Sequence, residues 1–146
     1  MLNFGLESLQ KLTSDSKLTI SPIYVTEPWG IIEQPAFLNM AVQFNTGLAP
    51  LPLLRAIKEI ERKAGRTTRP VWTERELDID ILLFDNLIIR TNRLSVPHLR
   101  MAERRFVLLP LNDIAPNRVI PGIAVTVSEA LSVCPDPGWV KPYKDL

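Results

Sequence analysis

The sequence predicts an α+β domain in which helices pack on a mainly antiparallel sheet. Hydrophobic periods of helix and strand type follow one another in the order helix, strand, strand, helix, strand, which is typical of helices layered on such a sheet. The chain of 146 residues, 46% hydrophobic and 23% charged, has the size and composition of one domain with a single core. We therefore predict a single domain over residues 1–146, with the 13 prolines marking long loops between its elements.

The first part of the chain predicts one helix and two strands. Leucines recur at helical spacing over residues 2–12 and predict an amphipathic helix. Residues 17–25 are rich in Thr, Ile, Tyr and Val and predict a strand, in which Pro22 indicates an edge or a bulge. Residues 37–45 alternate between two faces and predict a second strand.

A long helix and an acidic strand are predicted next. The helix opens at Pro50, carries an apolar stripe and ends at Gly65, where we expect a left-handed C-cap. Residues 77–84 predict a strand, and a turn at residues 85–86 leads into a short strand at residues 87–89. Two further helical segments are predicted at residues 103–111 and 126–131. Together these elements resemble a ferredoxin-like α/β sandwich that lacks its first strand.

Bulk properties exclude several classes of protein. The formal net charge of +1 excludes a strongly basic polyanion binder, so any phosphate recognition must come from local clusters of cations. Cys134 is the only cysteine, which excludes an intramolecular disulfide and a Cys-based metal site and favours a cytoplasmic location. No apolar run reaches the roughly 18 to 20 residues that span a bilayer, and no signal-peptide pattern is found, so we expect a soluble protein.

Asp78 and Asp80 give the sharpest chemical signal. Alternation places both carboxylates on one face of an apolar strand, roughly 6.5 to 7 Å apart. Such a pair can hold one or two hard cations such as Mg²⁺, and two metal ions about 3.5 to 4 Å apart stabilise both ends of a displacement at phosphorus. The alternative is that the aspartates are ordinary charges on the solvated face of the strand.

Two basic segments flank the acidic strand. Guanidinium groups bind phosphate oxygens in a bidentate manner, so metal ions together with arginines favour phosphate chemistry. Neither a Walker motif nor a Rossmann glycine motif occurs, so side chains must form any phosphate cradle. A solvated surface position is the alternative for each arginine. The basic residues are Arg62, Lys63, Arg66, Arg69, Arg75, Arg90, Arg93, Arg100, Arg104 and Arg105.

Several motifs, in a fixed order, resemble those of the 6-hydroxymethyl-7,8-dihydropterin pyrophosphokinases. Residues 75–84 read RELDIDILLF, with Trp72 before them and RLSVPH at residues 93–98 after them. The motifs FLN at residues 37–39 and RRF at residues 104–106 occupy similar places in that family. The resemblance covers nearly the whole chain and is specific as an ordered set.

The resemblance implies transfer of pyrophosphate from ATP to the hydroxymethyl group of 6-hydroxymethyl-7,8-dihydropterin, with release of AMP, in folate biosynthesis. It implies that Asp78 and Asp80 bind two Mg²⁺ ions that bridge the phosphates of the co-substrate ATP. Arg66 and Arg75 match arginines of a mobile catalytic loop. These two small molecules are the expected partners, without nucleic acid or membrane, and association with other folate-pathway enzymes is a further expectation.

The resemblance also assigns the substrate-binding residues. Phe37 and Phe106 match two aromatic walls that sandwich the pterin, Asn39 matches the amide that reads its edge, and Trp72 matches a loop tryptophan that covers it. Alternation independently places Phe37 and Asn39 on one strand face, although each phenylalanine by itself also fits a plain core position. The residues matched to ATP binding are Lys58, Glu61, Trp72, Arg75, Ile81, Arg93, Ser95, His98 and Arg104.

Some of these assignments have structural alternatives, and the chain departs from the family pattern. A rim salt bridge between Glu61 and Lys58 and a structural or surface role for His98 are the alternatives. Residues 72–75 read WTER where the family commonly has WGPR, and Lys58 stands where an amide is familiar. The family has a strand before the first helix, so we expect Met1 to be an internal start of a longer polypeptide.

Two other classes of function compete with the enzyme. A pseudo-enzyme or nucleotide-binding module would keep the aspartates and arginines without turnover. A ferredoxin-like RNA-binding module would use the basic segments as its surface. The net charge of +1 and the lack of an aromatic-rich basic motif disfavour RNA binding.

Overall fold

The computed structural model describes residues 1–26, 37–65 and 77–144. Within these residues it contains short strands and four α-helices. The helices are α1 (Leu2–Gln10), α2 (Pro50–Ala64), α3 (Arg105–Ile114) and α4 (Val127–Ser132), with a 3-10 turn at Met101–Glu103. The strands are β1 (Thr19–Ile20), β2 (Tyr24–Thr26), β3 (Phe37–Asn39), β4 (Val42–Gln43), β5 (Ile89–Arg90), β6 (Ser95–Val96), β7 (Val119–Ile120), β8 (Val125–Thr126) and β9 (Val140–Pro142).

The described strands pair in antiparallel ladders. The largest sheet among them has three strands in the order β3, β2, β9, so that Thr26 lies opposite both Phe37 and Val140. Two-stranded ladders join β1 to β4, β5 to β6 and β7 to β8. Helices combined with antiparallel sheets confirm the predicted α+β class.

Both strands predicted in the first part of the chain are interrupted. Residues 17–25 divide into β1 and β2, and residues 37–45 divide into β3 and β4. Pro22 has no N–H to donate to a ladder. Instead, the buried Ser21 takes over the pairing: its N–H donates to the Ala41 carbonyl at 2.9 Å, and its Oγ accepts the Ala41 N–H at 2.8 Å.

The strand predicted at residues 77–84 is wrong, because this segment belongs to no ladder in the described part of the chain. Over residues 77–80 the facing pattern is nevertheless the predicted one: Leu77 is buried, Asp78 and Asp80 are exposed, and Ile79 between them is half-buried. The alternation ends there, because residues 81–84 are all half-buried. The segment and residues 38–46 line a groove of about 710 Å³, together with parts of α1, α2 and residues 111–118. Alternating apolar side chains thus fix which way the segment faces, while ladder pairing depends on a neighbouring strand that no local pattern can supply.

The core consists of two clusters of buried residues, and residues 77–84 link them. Ile79 and Ile81 pack against the first cluster, whereas Leu82 and Leu83 pack against the second. The first cluster lies between α1 and α2 and contains Leu9, Leu53, Ile57, Ile60, Ala64 and Leu77. The second lies around α3 and α4 and contains Ala41, Met101, Leu108, Leu111, Ile120, Val127 and Ala130.

Helix α2 agrees with its prediction except at its end. Pro50 begins it, and the predicted stripe is the buried face. Gly65 ends it with φ −92° and ψ 17°, so the expected left-handed C-cap is wrong, and its N–H donates to the Glu61 carbonyl at 3.0 Å.

The predictions for the second half of the chain are largely confirmed. Residues 85–86 form a turn in which Asp85 has φ 49°, and the strand expected at residues 87–89 is β5, shifted to Ile89–Arg90. The two helical segments correspond to α3 and α4. Strands β6, β7, β8 and β9 were not predicted, since two or three residues are too few to give a period. Within the described ranges, no helix has both the length and the apolar character needed to cross a bilayer.

Candidate active site

The acidic pair lies on a segment that α2 holds by a side chain. The Ile79 N–H, midway between Asp78 and Asp80, donates to Glu61 Oε2 at 2.9 Å. The other carboxylate oxygen of Glu61 lies 3.1 Å from Lys58 Nζ, which confirms the salt bridge foreseen as an alternative. The Glu61 side chain is only 12% exposed. Helix α2 therefore fixes the centre of the acidic pair through a carboxylate that is itself largely shielded from water.

This anchoring role of Glu61 was missed from the sequence. One oxygen of the Glu61 carboxylate accepts the Ile79 N–H, while the other forms the salt bridge with Lys58. A hydrogen bond between residues 18 positions apart leaves no periodic signal. The only hint was the position of Glu61 beside the apolar stripe of α2, facing the core side of the helix.

The acidic pair fits a metal ion that is bound together with a phosphate. Asp78 and Asp80 supply carboxylate oxygens, the ligands that Mg²⁺ prefers. No group of three or more His, Cys, Asp or Glu side chains that could hold a metal occurs in ranges 1–26, 37–65 and 77–144. Magnesium usually keeps several waters and binds one or two carboxylates plus substrate phosphates, so a pair of carboxylates is a suitable donor set.

The β5–β6 hairpin packs against the acidic segment through the backbone. The His98 N–H donates to the Leu82 carbonyl at 2.9 Å, two residues beyond Asp80. In the ladder Ser95 lies opposite Arg90, whose Nη1 donates to the Pro97 carbonyl at 3.1 Å. This arrangement brings the segment carrying Ser95 and His98 close to the segment carrying the aspartates.

The side chains predicted to bind ATP in and near this hairpin differ in exposure and in their contacts. His98 Nδ1 accepts the Arg100 N–H at 3.2 Å, so one ring nitrogen has a structural role in the following turn. Arg93 is exposed, Ser95 and His98 are half-buried, and Ile81 packs against the α1–α2 cluster. Exposure leaves Arg93 able to reach an anionic ligand.

Among the described residues, those predicted to bind the pterin lie on β3 and at the start of α3. Phe37 is 38% exposed, so the alternative of a plain core position is wrong for it. Phe106 is half-buried, and the Arg104 guanidinium carbon lies 5.7 Å from the centroid of its ring, within cation–π range. An aromatic face that is open to solvent can stack on a flat ligand.

A buried threonine orients the amide of Asn39. Thr26 Oγ1 donates to the Phe37 carbonyl at 3.4 Å and accepts from Asn39 Nδ2 at 3.1 Å. Since the threonine proton goes to Phe37, its oxygen must act as the acceptor for Asn39. The amide nitrogen of Asn39 is thus engaged, which fixes the side-chain orientation and makes its Oδ1 the group able to accept from a ligand.

A buried tyrosine connects the sheet to α3. The Tyr24 hydroxyl, on β2, donates to Asp113 Oδ2 near the end of α3. Burial, and then the hydrogen bond and charge of Asp113, raise the pKa of Tyr24 to about 12. Helix α3 also contacts β3. Helix α3, which carries Phe106, is therefore packed against the strand that carries Phe37 and bonded to the neighbouring strand β2.

Comparison with known proteins identifies the family. The family model described as 7,8-dihydro-6-hydroxymethylpterin-pyrophosphokinase (HPPK) matches residues 1–116. The chain belongs to this family. A 2-amino-4-hydroxy-6-hydroxymethyldihydropteridine pyrophosphokinase of Pseudomonas aeruginosa is 40% identical over 134 residues, which are 92% of this chain and 82% of that protein.

Two further relatives extend the comparison. A pyrophosphokinase of the same name from Bacillus subtilis is 50% identical over 95 residues, covering 65% of this chain and 57% of the relative. The Folic acid synthesis protein fol1 of Schizosaccharomyces pombe is 37% identical over 134 residues, which are 92% of this chain but 18% of that protein. The HPPK family predicted from the motifs is thus confirmed.

The structure brings some of the predicted HPPK site residues into one groove and leaves others outside it. The groove of about 710 Å³ is lined by Asn39, Asp78, Asp80 and Ile81 among others. The predicted site residues that are described but do not line it are Phe37, Lys58, Glu61, Arg93, Ser95, His98, Arg104 and Phe106. The predictions for Arg66, Trp72 and Arg75 fall outside the described residues.

Proposed function

We propose that this HPPK family member transfers a pyrophosphoryl group from ATP to the hydroxymethyl oxygen of 6-hydroxymethyl-7,8-dihydropterin in folate biosynthesis. The observation that carries the proposal is the exposed pair Asp78 and Asp80, held by Glu61 on a segment within the residues that match the family. Relatives named as pyrophosphokinases of this pterin, at about 40% identity over most of the chain, support the same reaction.

The proposed reaction is a displacement at the β-phosphorus of ATP. The hydroxymethyl oxygen attacks that phosphorus and loses its proton, the bond from the phosphorus to the bridging α–β oxygen breaks, and AMP leaves. Two bound Mg²⁺ ions would neutralise charge on the phosphate oxygens, with Asp78 and Asp80 as their protein ligands. Glu61 keeps the two aspartates in place by accepting the N–H of Ile79.

We propose a nucleotide site beside the acidic segment. We propose that Arg93, Ser95 and His98, on the hairpin bonded to Leu82, contact the nucleotide together with Arg104. Further proposed contacts come from the ion-paired Lys58 and Glu61 and from Ile81, Trp72 and Arg75. Arg66 and Arg75 are proposed to meet charge that develops on the transferred group.

The proposed pterin site uses stacking and one oriented amide. Phe37 and Phe106 stack on the two faces of the ring, and Trp72 covers it. Because the amide nitrogen of Asn39 donates to Thr26, the side-chain oxygen of Asn39 is proposed to accept an N–H donor on the pterin edge. A pterin offers such donors on its pyrimidine side, so the amide orientation supports this binding mode.

Several finer features complete the proposal. We propose a ferredoxin-like sandwich as the arrangement of the helices and antiparallel strands, two Mg²⁺ ions per site, and no binding of nucleic acid or membrane. The single cysteine supports a cytoplasmic location. Association with other folate-pathway enzymes is supported by the similarity to a small part of a protein named for folic acid synthesis.

AMP formation tests the proposed function directly. The purified chain is incubated with ATP and Mg²⁺, with and without the hydroxymethyl pterin, and the nucleotides are separated. We expect AMP only when both the pterin and Mg²⁺ are present. Binding of ATP without AMP formation under any of these conditions would instead indicate a nucleotide-binding module that lacks turnover.

A further inference from the structure

Helix α3 is capped by a residue from the far end of the chain. Its N-cap residue, Arg104, makes no side-chain cap hydrogen bond, and no acidic residue occupies its first turn. Instead Asp136 Oδ2 accepts the Arg105 N–H at 3.0 Å. A carboxylate at a helix N-terminus satisfies a free N–H and interacts favourably with the helix dipole.

Two further acceptor atoms of Asp136 are also engaged. Its second carboxylate oxygen accepts the Gly138 N–H at 2.8 Å, and its backbone carbonyl accepts from Arg105 Nε at 3.4 Å. Asp136 is half-buried. One side chain therefore bonds both the first turn of α3 and the segment that follows Asp136.

That segment joins the two parts of the proposed pterin site. The first turn of α3 carries Phe106, and four residues after Asp136 the chain enters β9. Strand β9 pairs with β2, which pairs with β3, so that Thr26 lies between Val140 and Phe37. One short stretch of chain thus runs from the base of the Phe106 wall to the sheet that carries the Phe37 wall.

We infer that Asp136 is a positioning residue that sets the spacing between the Phe37 and Phe106 rings for the pterin. The inference rests on the proposed function, and it concerns a residue beyond the 1–116 match to the family. A flat ring stacked between two aromatic side chains requires a fixed gap, so release of the first turn of α3 weakens pterin binding. ATP binding changes less, because Arg104, the N-cap residue of α3, is the only one of the described proposed nucleotide contacts at this helix end, and the others lie on α2, the acidic segment and the β5–β6 hairpin region.

The test compares Asp136→Ala and Asp136→Asn with Asp15→Ala. Asp15 is a matched control because its Oδ1 likewise accepts a backbone N–H, that of Lys17 at 3.1 Å, in an exposed turn. Dissociation constants for the hydroxymethyl pterin and for ATP are measured separately by calorimetry, and the folded fraction is measured by circular dichroism. Asp136→Asn retains an acceptor oxygen and serves as the milder variant.

We expect Asp136→Ala to raise the pterin Kd roughly tenfold, since small misplacement of binding groups is costly. Asp136→Asn should raise the pterin Kd less, and Asp15→Ala should change neither dissociation constant. The ATP Kd should rise at most about twofold, because most of the described proposed nucleotide contacts lie on other elements than α3. An unchanged pterin Kd in folded Asp136→Ala would overturn the inference, and so would an equal rise for both ligands.

If Asp136→Ala does not fold, the test uses Asp136→Asn. An unchanged pterin Kd, or an equal rise of the pterin and ATP dissociation constants, would then overturn the inference. Failure of the unsubstituted chain to bind the pterin at all would overturn the proposed function and the inference with it. Normal pterin binding by the unsubstituted chain and by both Asp136 variants would overturn the inference alone.

Discussion

The two sides of the proposed site are held in place by different means. Phe37 and Asn39 lie on a strand of a three-stranded ladder, and Thr26 and Tyr24 reinforce it with side-chain bonds. The acidic segment has no ladder in the described part of the chain and depends on Glu61 and on the backbone bond from the β5–β6 hairpin to Leu82.

The difference shows how a site can combine a rigid platform with locally held charges. A ladder distributes its stability over many backbone bonds, so the loss of one side chain changes little. The acidic segment relies on few contacts, so single substitutions there should have large effects on activity. Substitutions on the two sides therefore test whether ladder bonds or a few side-chain contacts hold each part of the site.

The largest effect is expected on the acidic side, for Asp80→Ala. We predict a loss of kcat of at least about 10³-fold, because loss of a metal ligand forfeits several kcal/mol of charge stabilisation and about 1.4 kcal/mol corresponds to tenfold in rate. The fold should remain intact because Asp80 is exposed. Turnover is measured as AMP formation, with Glu7→Ala, an exposed acid on α1, as the control. Retained Mg²⁺-dependent turnover in Asp80→Ala would contradict the metal assignment.

An intermediate effect is expected for the anchor, Glu61. Glu61→Ala leaves the Ile79 N–H without its acceptor, which costs about 1 to 3 kcal/mol, and we predict a drop in kcat/KM for ATP of roughly tenfold. Glu61→Gln should be milder, because its amide oxygen can still accept that N–H. Steady-state kinetics at varied ATP measures both.

The control for this comparison lies on the same helix. Glu59 bonds the exposed Arg62, one turn along α2, and Glu59→Ala should leave kcat/KM for ATP unchanged. Equal damage from Glu61→Ala and Glu61→Gln would indicate that the negative charge, and not the hydrogen bond, is what the site needs.

The smallest effect on activity is expected on the sheet side, for Tyr24→Phe. The variant loses a hydrogen bond to the Asp113 carboxylate, so we predict a loss of unfolding free energy of about 1.5 to 3 kcal/mol with only a small rise in the pterin Kd. Denaturant unfolding measures the first and calorimetry the second. If Tyr24→Phe lost as much activity as Glu61→Ala, the sheet side would be as sensitive to single substitutions as the acidic side, which would contradict the account.

The same tyrosine gives a pH dependence with a definite sign. In the folded protein the pKa of Tyr24 is raised from 10.0 to about 12, so the unfolded chain loses this proton first as the pH rises. The stability that Tyr24 contributes is present below pH 10 and is lost as the pH rises towards 12. Tyr24→Phe should remove this component, whereas Tyr143→Phe, at a position 44% exposed, should keep it. Identical alkaline profiles for the unsubstituted chain and Tyr24→Phe would contradict the assignment.

Local patterns predicted the helices and the facing of the acidic segment well. Helix α2 follows from its apolar stripe and its opening prolines, and the exposure of Asp78 and Asp80 follows from alternation with Leu77 and Ile79. The family could be identified from the ordered motifs, since these combine residues from several segments.

Pairings between distant segments could not be predicted. Whether residues 77–84 pair in a ladder depends on a distant strand. The hydrogen bonds from Tyr24 to Asp113 and from Arg105 to Asp136 likewise join segments that share no hydrophobic period. Similarly, Ser21 replaces ladder bonds beside Pro22 only because Ala41 happens to face it. Such contacts depend on the whole fold, and a single sequence carries no local record of them.

The central claim is that Asp78 and Asp80 together hold the metal ions that accompany ATP. A crystal structure with the pterin, Mg²⁺ and α,β-methylene ATP, whose cleavable bridge is blocked, tests it most directly. We predict metal ions about 2.1 Å from carboxylate oxygens of both aspartates and bridging to the phosphates. Metal ions bound to the phosphates with neither aspartate as a ligand would contradict the account.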